Sequence, residues 1–545
     1  VVAIVGLVVF PIARLCQVIV DDRGTLNRVL HAPGLSTALQ HTMVLACLVP
    51  AVAVPLGAAA AVYLRRPDVP FRAALRIGVL LPLVVPQFVL GYSWTQAYGR
   101  AGFTDELFGV RWNALTGPFG VAVVMIVDAV PLAYLLTTVG LATRAQPDLD
   151  RAARVCGATR WTTLRTVTLP LLRPVLAAAF VLTFVATLEN FAVPQVLGTP
   201  AGYSTLTTRI YADLSLGSDP ASFVDAVTLA LGLVVIAAVV LLPADVLLGP
   251  RLRTVRAAQP AGSMPASRPS WRAGRPVAAL AAYLLLVVIV PTVALVLAAL
   301  TRAIGVRPTP SNWTLGNFRT ALDGPTIAAI GHSLELAAVA ACVLTVLGAL
   351  LCAFERRQAG RALGTVAIAT FAIPGSTLAV GLLIAYGRWL DSGLVLILLA
   401  YLAKFWALAH RTLSGALDRL PPAELQAARC SGARPLTAAR TIWVPALAPA
   451  LVGAWLIVFV AALHEVTMSS LLYGPTSQTL AVAIVNSQEL GSIGSTAALS
   501  VVLTGLLLVA ALPALLGLRI ATARRTTRAT RRPATPRTLA ALGVH

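Results

Sequence analysis

The sequence predicts an all-α polytopic membrane protein, built as two tandem six-helix transmembrane domains related by a pseudo-twofold axis. Three observations carry that prediction. Hydrophobic residues make up 58% of the 545 residues and charged residues only 12%, against roughly 45–50% and about 25% in soluble domains. Apolar runs close to the ~20 residues that a spanning helix needs recur along the whole chain. The second half then repeats the first at fixed offsets. The net charge of +21 does not point to nucleic acid, because the arginines cluster between apolar runs, where positive residues hold loops on the cytoplasmic side.

In chain order, residues 1–20 enter the membrane and Asp21 to Ser36 form an outer loop. A span over 37–63 returns inside, ending at Arg65 and Arg66. The next, over 74–95, crosses outward and contains Pro82 and Pro86; residues 96–117 form an outer loop with Asp105 and Glu106. Spans over 118–142, 171–196 and 223–248 complete the first domain, residues 1–250. Residues 251–275 carry six arginines and no acid among Pro, Ser and Ala, which suits a flexible cytoplasmic linker. The second domain, 276–520, holds spans over 276–300, 331–353, 363–386, 393–412, 446–472 and 496–518. Residues 521–545 read as a basic, disordered cytoplasmic tail. One topology puts every basic cluster inside. The chain begins at Val1 within an apolar run and without methionine, so the natural N-terminus is expected upstream. The six cysteines have no metal or paired spacing and read as small apolar residues.

The repeat is exact in places. His41-Thr42, Gly57 and Arg65-Arg66 match His332-Ser333, Gly348 and Arg356-Arg357 at an offset of 291. Gly157, Pro170 and Phe184–Leu188 match Gly432, Pro445 and Phe459–Leu463 at 275. Six spans in each half give both halves one orientation, as in parallel repeats about an axis along the membrane normal.

Two polar, Arg-rich stretches between spans are copies of each other. Arg151, Ala152, Ala153 and Gly157 lead to Val167 and Pro170; Gln426, Ala427, Ala428 and Gly432 lead to Ile442 and Pro445. Two alanines and a glycine leave a small-residue face that another protein can approach closely, and the glycine can end the helix. The proline is placed to start the next span. An ordinary connector kept by duplication is the bland alternative.

This pattern resembles the EAA loop of ABC importer permeases, through which the membrane subunit meets its ATPase. Both copies depart from that signature at its glutamate, replaced by Arg151 and Gln426, which puts a salt bridge from that side chain in doubt. The resemblance implies MetI-like domains. Leu188–Phe191 with Leu197-Gly198, Leu463–Val466 with Leu471–Gly474, Thr205–Tyr211 and Thr479–Ile484 are similar to the fused ferric iron (Fe3+) permeases. Thiamine permeases share that plan. The partners it implies are an ABC ATPase, present twice, an extracytoplasmic substrate-binding protein and the lipid of a bacterial inner membrane. No cofactor is expected on the chain, and ATP is used by the partner. The chain itself lacks a P-loop: Lys404 is its sole lysine and sits between Ala403 and Phe405, not after glycine and before Ser or Thr.

Charges inside spans are costly and are functional suspects by default. Asp128 lies mid-span and Lys404 is near its equivalent at an offset of 276; if both helices flank the axis, the two can pair. Glu189, Asn190, His464 and Glu465 sit toward the outer ends of the fifth and eleventh spans and can line a pathway for a cation, or merely mark the interface. No histidine spacing suggests a metal site. The expected function is a transport subunit, not an enzyme, importing ferric iron; thiamine, polyamine and phosphonate are alternatives. An ion-coupled secondary transporter is the rival of a different class, since parallel repeats occur there too. A membrane scaffold is a third reading, and it leaves Asp128 and Lys404 unexplained.

Overall fold

The computed structural model describes the chain except residues 1–4, 22–28, 30, 33, 67, 101, 145–146, 216, 218, 254–273, 304, 356–369, 371–372, 391, 418–429, 433, 435–436, 438–439, 442–443 and 531–545. The described residues form helices and loops, with one isolated bridge, Thr301 to Trp313. Nine helices among them are long and apolar enough to cross a membrane, or ten if one bent pair is a single span. In the N-terminal half the elements are α1 (Phe10–Asp21), α2 (Leu35–Leu64), α3 (Arg72–Leu80), α4 (Gln87–Tyr98), α5 (Pro118–Arg144), α6 (Pro147–Val155), α7 (Leu169–Leu188), α8 (Leu206–Ser215) and α9 (Pro220–Arg253). The C-terminal half holds α10 (Gly274–Leu284), α11 (Val290–Leu300), α12 (Gly324–Glu355), α13 (Gly375–Tyr386), α14 (Gly393–Leu417), α15 (Val444–Leu463), α16 (Thr467–Leu472), α17 (Leu480–Glu489) and α18 (Ile493–Thr530).

Each half has a three-helix centre: α2 with α5 and α7, and α12 with α14 and α15. Glycine sets the approach. A Cβ on Gly57 of α2 would stand 2.7 Å from the Tyr134 nitrogen of α5, and one on Gly348 of α12 would stand 3.3 Å from Ala409 of α14. These are the glycines matched in the repeat, and both serve the same helix pair. The first helices cross over. α1 packs on α13 of the other half and α11 packs on α4. Tyr98 donates to the Leu286 carbonyl at 2.5 Å, and Tyr386 donates to the Gly6 carbonyl at 2.7 Å.

Three expectations for the spans need correction. The segment over 74–95 is not a straight crossing, for helical segments 72–83 and 87–108 meet at 104°. Pro82 and Pro86 have no N–H to donate to a continuing helix; Pro82 lies in a 3-10 turn over Leu81–Leu83, and Pro86 is the last residue before α4. The fifth and eleventh spans stop at Leu188 and Leu463, short of 196 and 472. Polar residues there cap new short helices instead of continuing the old ones. α18 runs to Thr530, past the expected start of the tail at 521; residues 531–545, the linker core 254–273, and Arg356 and Arg357 lie outside the described residues.

Candidate functional site

Two places gather the polar chemistry, one exposed and one largely buried. The first is the loop after α5. Its helix α6 ends in a Schellman turn: the Ala158 N–H donates to the Ala153 carbonyl at 2.9 Å and the Gly157 N–H to Arg154 at 3.0 Å. Gly157 takes φ 84° there, the left-handed region where a Cβ is penalised. Thr159 then restarts the chain as a cap, its hydroxyl accepting from the Thr162 N–H at 3.1 Å. Nothing lies within 4 Å of a Cβ on Gly157. Arg151 and Ala152 are exposed and Ala153 half-buried, and beside them Val155 and Trp161 are 88% and 64% exposed. The result is an open helix end carrying apolar side chains. Gly432 repeats the left-handed geometry at φ 73°, again with open space around it. Gln426, Ala427 and Ala428 lie outside the described residues.

Pro170 and Pro445 each occupy the second position of their helix, α7 and α15. Pro170 does not start its span, however. A π-turn over Leu164–Thr168 runs straight into α7, with the Leu169 N–H bonding back to Leu164. The wider turn accommodates a residue that has no N–H to give.

The second place is a seam between the halves. Lys404 of α14 reaches Glu189, the residue that closes α7, with Nζ 2.5 Å from Oε2. Its Nζ also donates to the Ile373 carbonyl at 2.8 Å. Asp128 of α5 accepts from Gln87 Nε2 at 2.8 Å. The pairing of Asp128 with Lys404 is therefore corrected: the lysine takes Glu189, and the aspartate takes an amide of its own half. The two charges still do matching work. Gln87 follows Pro86 and Ile373 precedes Pro374, so each in-span charge holds the start of a helix in its own half, α4 or α13. Broken backbone at membrane depth must find such partners.

The remaining candidates turn to the backbone. Asn190 Oδ1 accepts from the Val193 N–H at 3.2 Å. Its match, Glu465, accepts from Met468 N–H at 2.7 Å and Ser469 N–H at 3.0 Å, so both cap the short helix that follows. The Ser469 hydroxyl joins Glu465 to Tyr401, at 3.0 and 2.8 Å. Lys404 lies within electrostatic reach of Glu465. His464 Nδ1 contacts the Val460 carbonyl of its own helix. The His-hydroxyl pairs of the repeat also act alike: Thr42 accepts from the Leu206 N–H and Ser333 from the Leu480 N–H, at 2.9 and 2.8 Å. His41 contacts the Ser204 carbonyl and His332 the Gln478 carbonyl. Sequence reasoning missed Gln87 and the Ile373 carbonyl. Their signal was the proline beside each, which marks an unwound turn with polar groups to satisfy. Among the described residues no group of three or more His, Cys, Asp or Glu could hold a metal ion.

Residues 53–253 and 344–522 match the family described as "Binding-protein-dependent transport system inner membrane component". Curated relatives include the ferric transport system permease protein FbpB of Actinobacillus pleuropneumoniae, 31% identical over 34% of this chain and 27% of that protein. The alignment thus spans little more than a quarter of that relative. An Fe(3+)-transport system permease protein of Haemophilus influenzae is 23% identical over 84% of this chain and 85% of its own length. The molybdenum transport system permease protein ModB of Mycobacterium bovis is 32% identical over 44% of this chain and 90% of its own.

Proposed function

The chain belongs to the family of binding-protein-dependent transport system inner membrane components, and from that membership we propose that it is the permease subunit of an ABC importer for ferric iron. The observation that carries the subunit's role is the pair of left-handed glycines, Gly157 and Gly432, each with open space around it and each in the same slot of the repeat. Two copies of an ATPase, one under each end, would grip Arg151, Ala152, Ala153 and Gly157 on one side and Gln426, Ala427, Ala428 and Gly432 on the other. Val155 and Trp161 supply apolar surface for that contact. Hydrolysis belongs to the ATPase, and the chain itself binds no cofactor. The two domains, 1–250 and 276–520, rock about the pseudo-twofold axis in a bacterial inner membrane. A substrate-binding protein loads the outer mouth.

Ferric iron is favoured by the ferric permease that aligns along most of both chains. A molybdenum oxyanion is the second reading, favoured by the relative that aligns along 90% of its length. The test reconstitutes the chain in liposomes with its ATPase and binding protein. ATP hydrolysis stimulated by ferric-loaded binding protein, and lost with Gly157→Val and Gly432→Val, is the expected result. Stimulation by molybdate alone would discard iron and keep the importer. Uptake driven by an ion gradient without any ATPase would discard the importer.

A further inference from the structure

We infer that Glu189 is a cation-binding site on the translocation pathway and that Lys404 is its tethered counter-ion, seated on the carboxylate while the halves are joined. The inference rests on the ferric-import reading and deepens it by naming where the cargo's charge is met.

Four observations carry it. The pair crosses the seam, since Glu189 closes α7 of one half and Lys404 belongs to α14 of the other. Lys404 is also tied to its own half by the Ile373 carbonyl. That carbonyl precedes Pro374, where the helix has not yet begun, so the lysine helps satisfy a backbone group the fold leaves open. When the halves part, the ammonium keeps that tie and Glu189 travels with α7. The side chains differ in exposure in the matching sense: Glu189 is 21% exposed and Lys404 8%. The carboxylate is partly exposed, and the ammonium is nearly buried.

The site is single despite the repeat. At the offset of 275 the counterpart of Glu189 is His464, which turns back to Val460 of its own helix. The counterpart of Lys404 is Asp128, which is held by Gln87. Asn190 and Glu465 are engaged as helix caps. Among these described positions, Glu189 is the carboxylate hydrogen-bonded to the Lys404 ammonium, whereas Asn190 and Glu465 hold backbone N–H groups.

A carboxylate at membrane depth cannot be left unpaired, because breaking a buried pair strands its charge. Once Lys404 withdraws, another cation must replace it. A carboxylate offers hard oxygen, which suits a hard, highly charged cation. Cargo then stabilises the parted state, and the lysine suppresses it when cargo is absent. That links opening to loading with one exchange of partners.

The test uses liposomes holding the full chain with its ATPase and binding protein. ATP hydrolysis is read without cargo, and uptake of radioactive ferric ion is read with loaded binding protein. Glu189→Gln should lower uptake at least about tenfold and raise idle hydrolysis about tenfold, which equals about 1.4 kcal/mol of lost preference for the joined state. Lys404→Met should raise idle hydrolysis alike while keeping most of the uptake, and Glu189→Asp should keep uptake. The double variant Glu189→Gln with Lys404→Met strands no charge, so it remains readable if a single variant misfolds; it should hydrolyse ATP without cargo and carry no iron. Normal uptake by Glu189→Gln or by the double variant overturns the inference. Equal loss in Lys404→Met and Glu189→Gln also overturns it, leaving a purely structural pair. Molybdate uptake that needs Lys404 but not Glu189 would place an anion there instead. If the unaltered chain moves no ferric ion, the ferric reading itself fails; if it does and only the variants misbehave, this inference alone fails.

Discussion

Gly157 shows how much one residue decides. Its left-handed φ of 84° lets α6 stop and its exposed face stay open, and an L residue in that conformation costs about 1–2 kcal/mol. Gly157→Ala should therefore leave the helical bundle intact, seen as an unchanged spectrum in detergent, while weakening retention of the ATPase on purification. Asp323 gives a second prediction at this scale. Its carboxylate accepts from the Thr326 N–H at 2.9 Å at the start of α12, and hydrogen bonding from Thr326 holds its pKa below the ordinary 3.8. A depressed folded-state value means the cap's stabilisation is complete above that ordinary value and fades as pH falls through the folded one. Asp323→Ala should cost about 1 kcal/mol at neutral pH. Thermal melts should show that gap closing in strong acid.

Helix pairs obey the same glycine logic with different tolerances. A Cβ on Gly57 would meet the Tyr134 nitrogen and Ala133 Cβ at 2.7 Å, whereas one on Gly348 would meet a Leu413 methyl at 3.2 Å and Ala409 at 3.3 Å. Backbone cannot yield as a methyl can. Gly57→Ala should destabilise by about 1–3 kcal/mol, the usual cost of overpacking, and Gly348→Ala by visibly less; comparing melting temperatures in one detergent decides it. The helix starts after Pro86 and Pro374 form a second matched pair. Asp128→Asn keeps a group that can accept from Gln87 and should transport well. Asp128→Leu strands that amide and should lower the yield of folded protein, as measured by size-exclusion profile.

Across the whole molecule, the crossed first helices clasp the halves together. α1 packs on α13 and α11 on α4, and Tyr386 and Tyr98 bond the Gly6 and Leu286 carbonyls just ahead of α1 and α11. Tyr92 adds a bond to Ile493 and Thr377 one to Ala230, each crossing between halves. Such a clasp does not need the connecting residues 254–273. Two polypeptides made by dividing the chain within that stretch should copurify and support transport. Separate elution of the two would show that covalent linkage, not the clasp, holds them.

Much of this was legible in the sequence, because period, composition and repetition are local properties. Long apolar runs can bury their backbone only as helices in a membrane. The matched His-hydroxyl pairs, the two central glycines and the two left-handed glycines lie where the offsets of 291 and 275 put them. Proline positions foretold trouble in the third span but not a bend of 104°, since an angle depends on what packs against both arms. The partners of the in-span charges were decided only by tertiary structure. Asp128 and Lys404 match in the repeat, and matched positions lie apart about an axis unless they sit on it. Each bonds beside a proline-led helix start in its own half, and the cross-seam contact joins Lys404 to Glu189, two residues of unlike position in the repeat. A sequence fixes which side chains carry charge; which of them meet depends on how the two halves are turned toward each other.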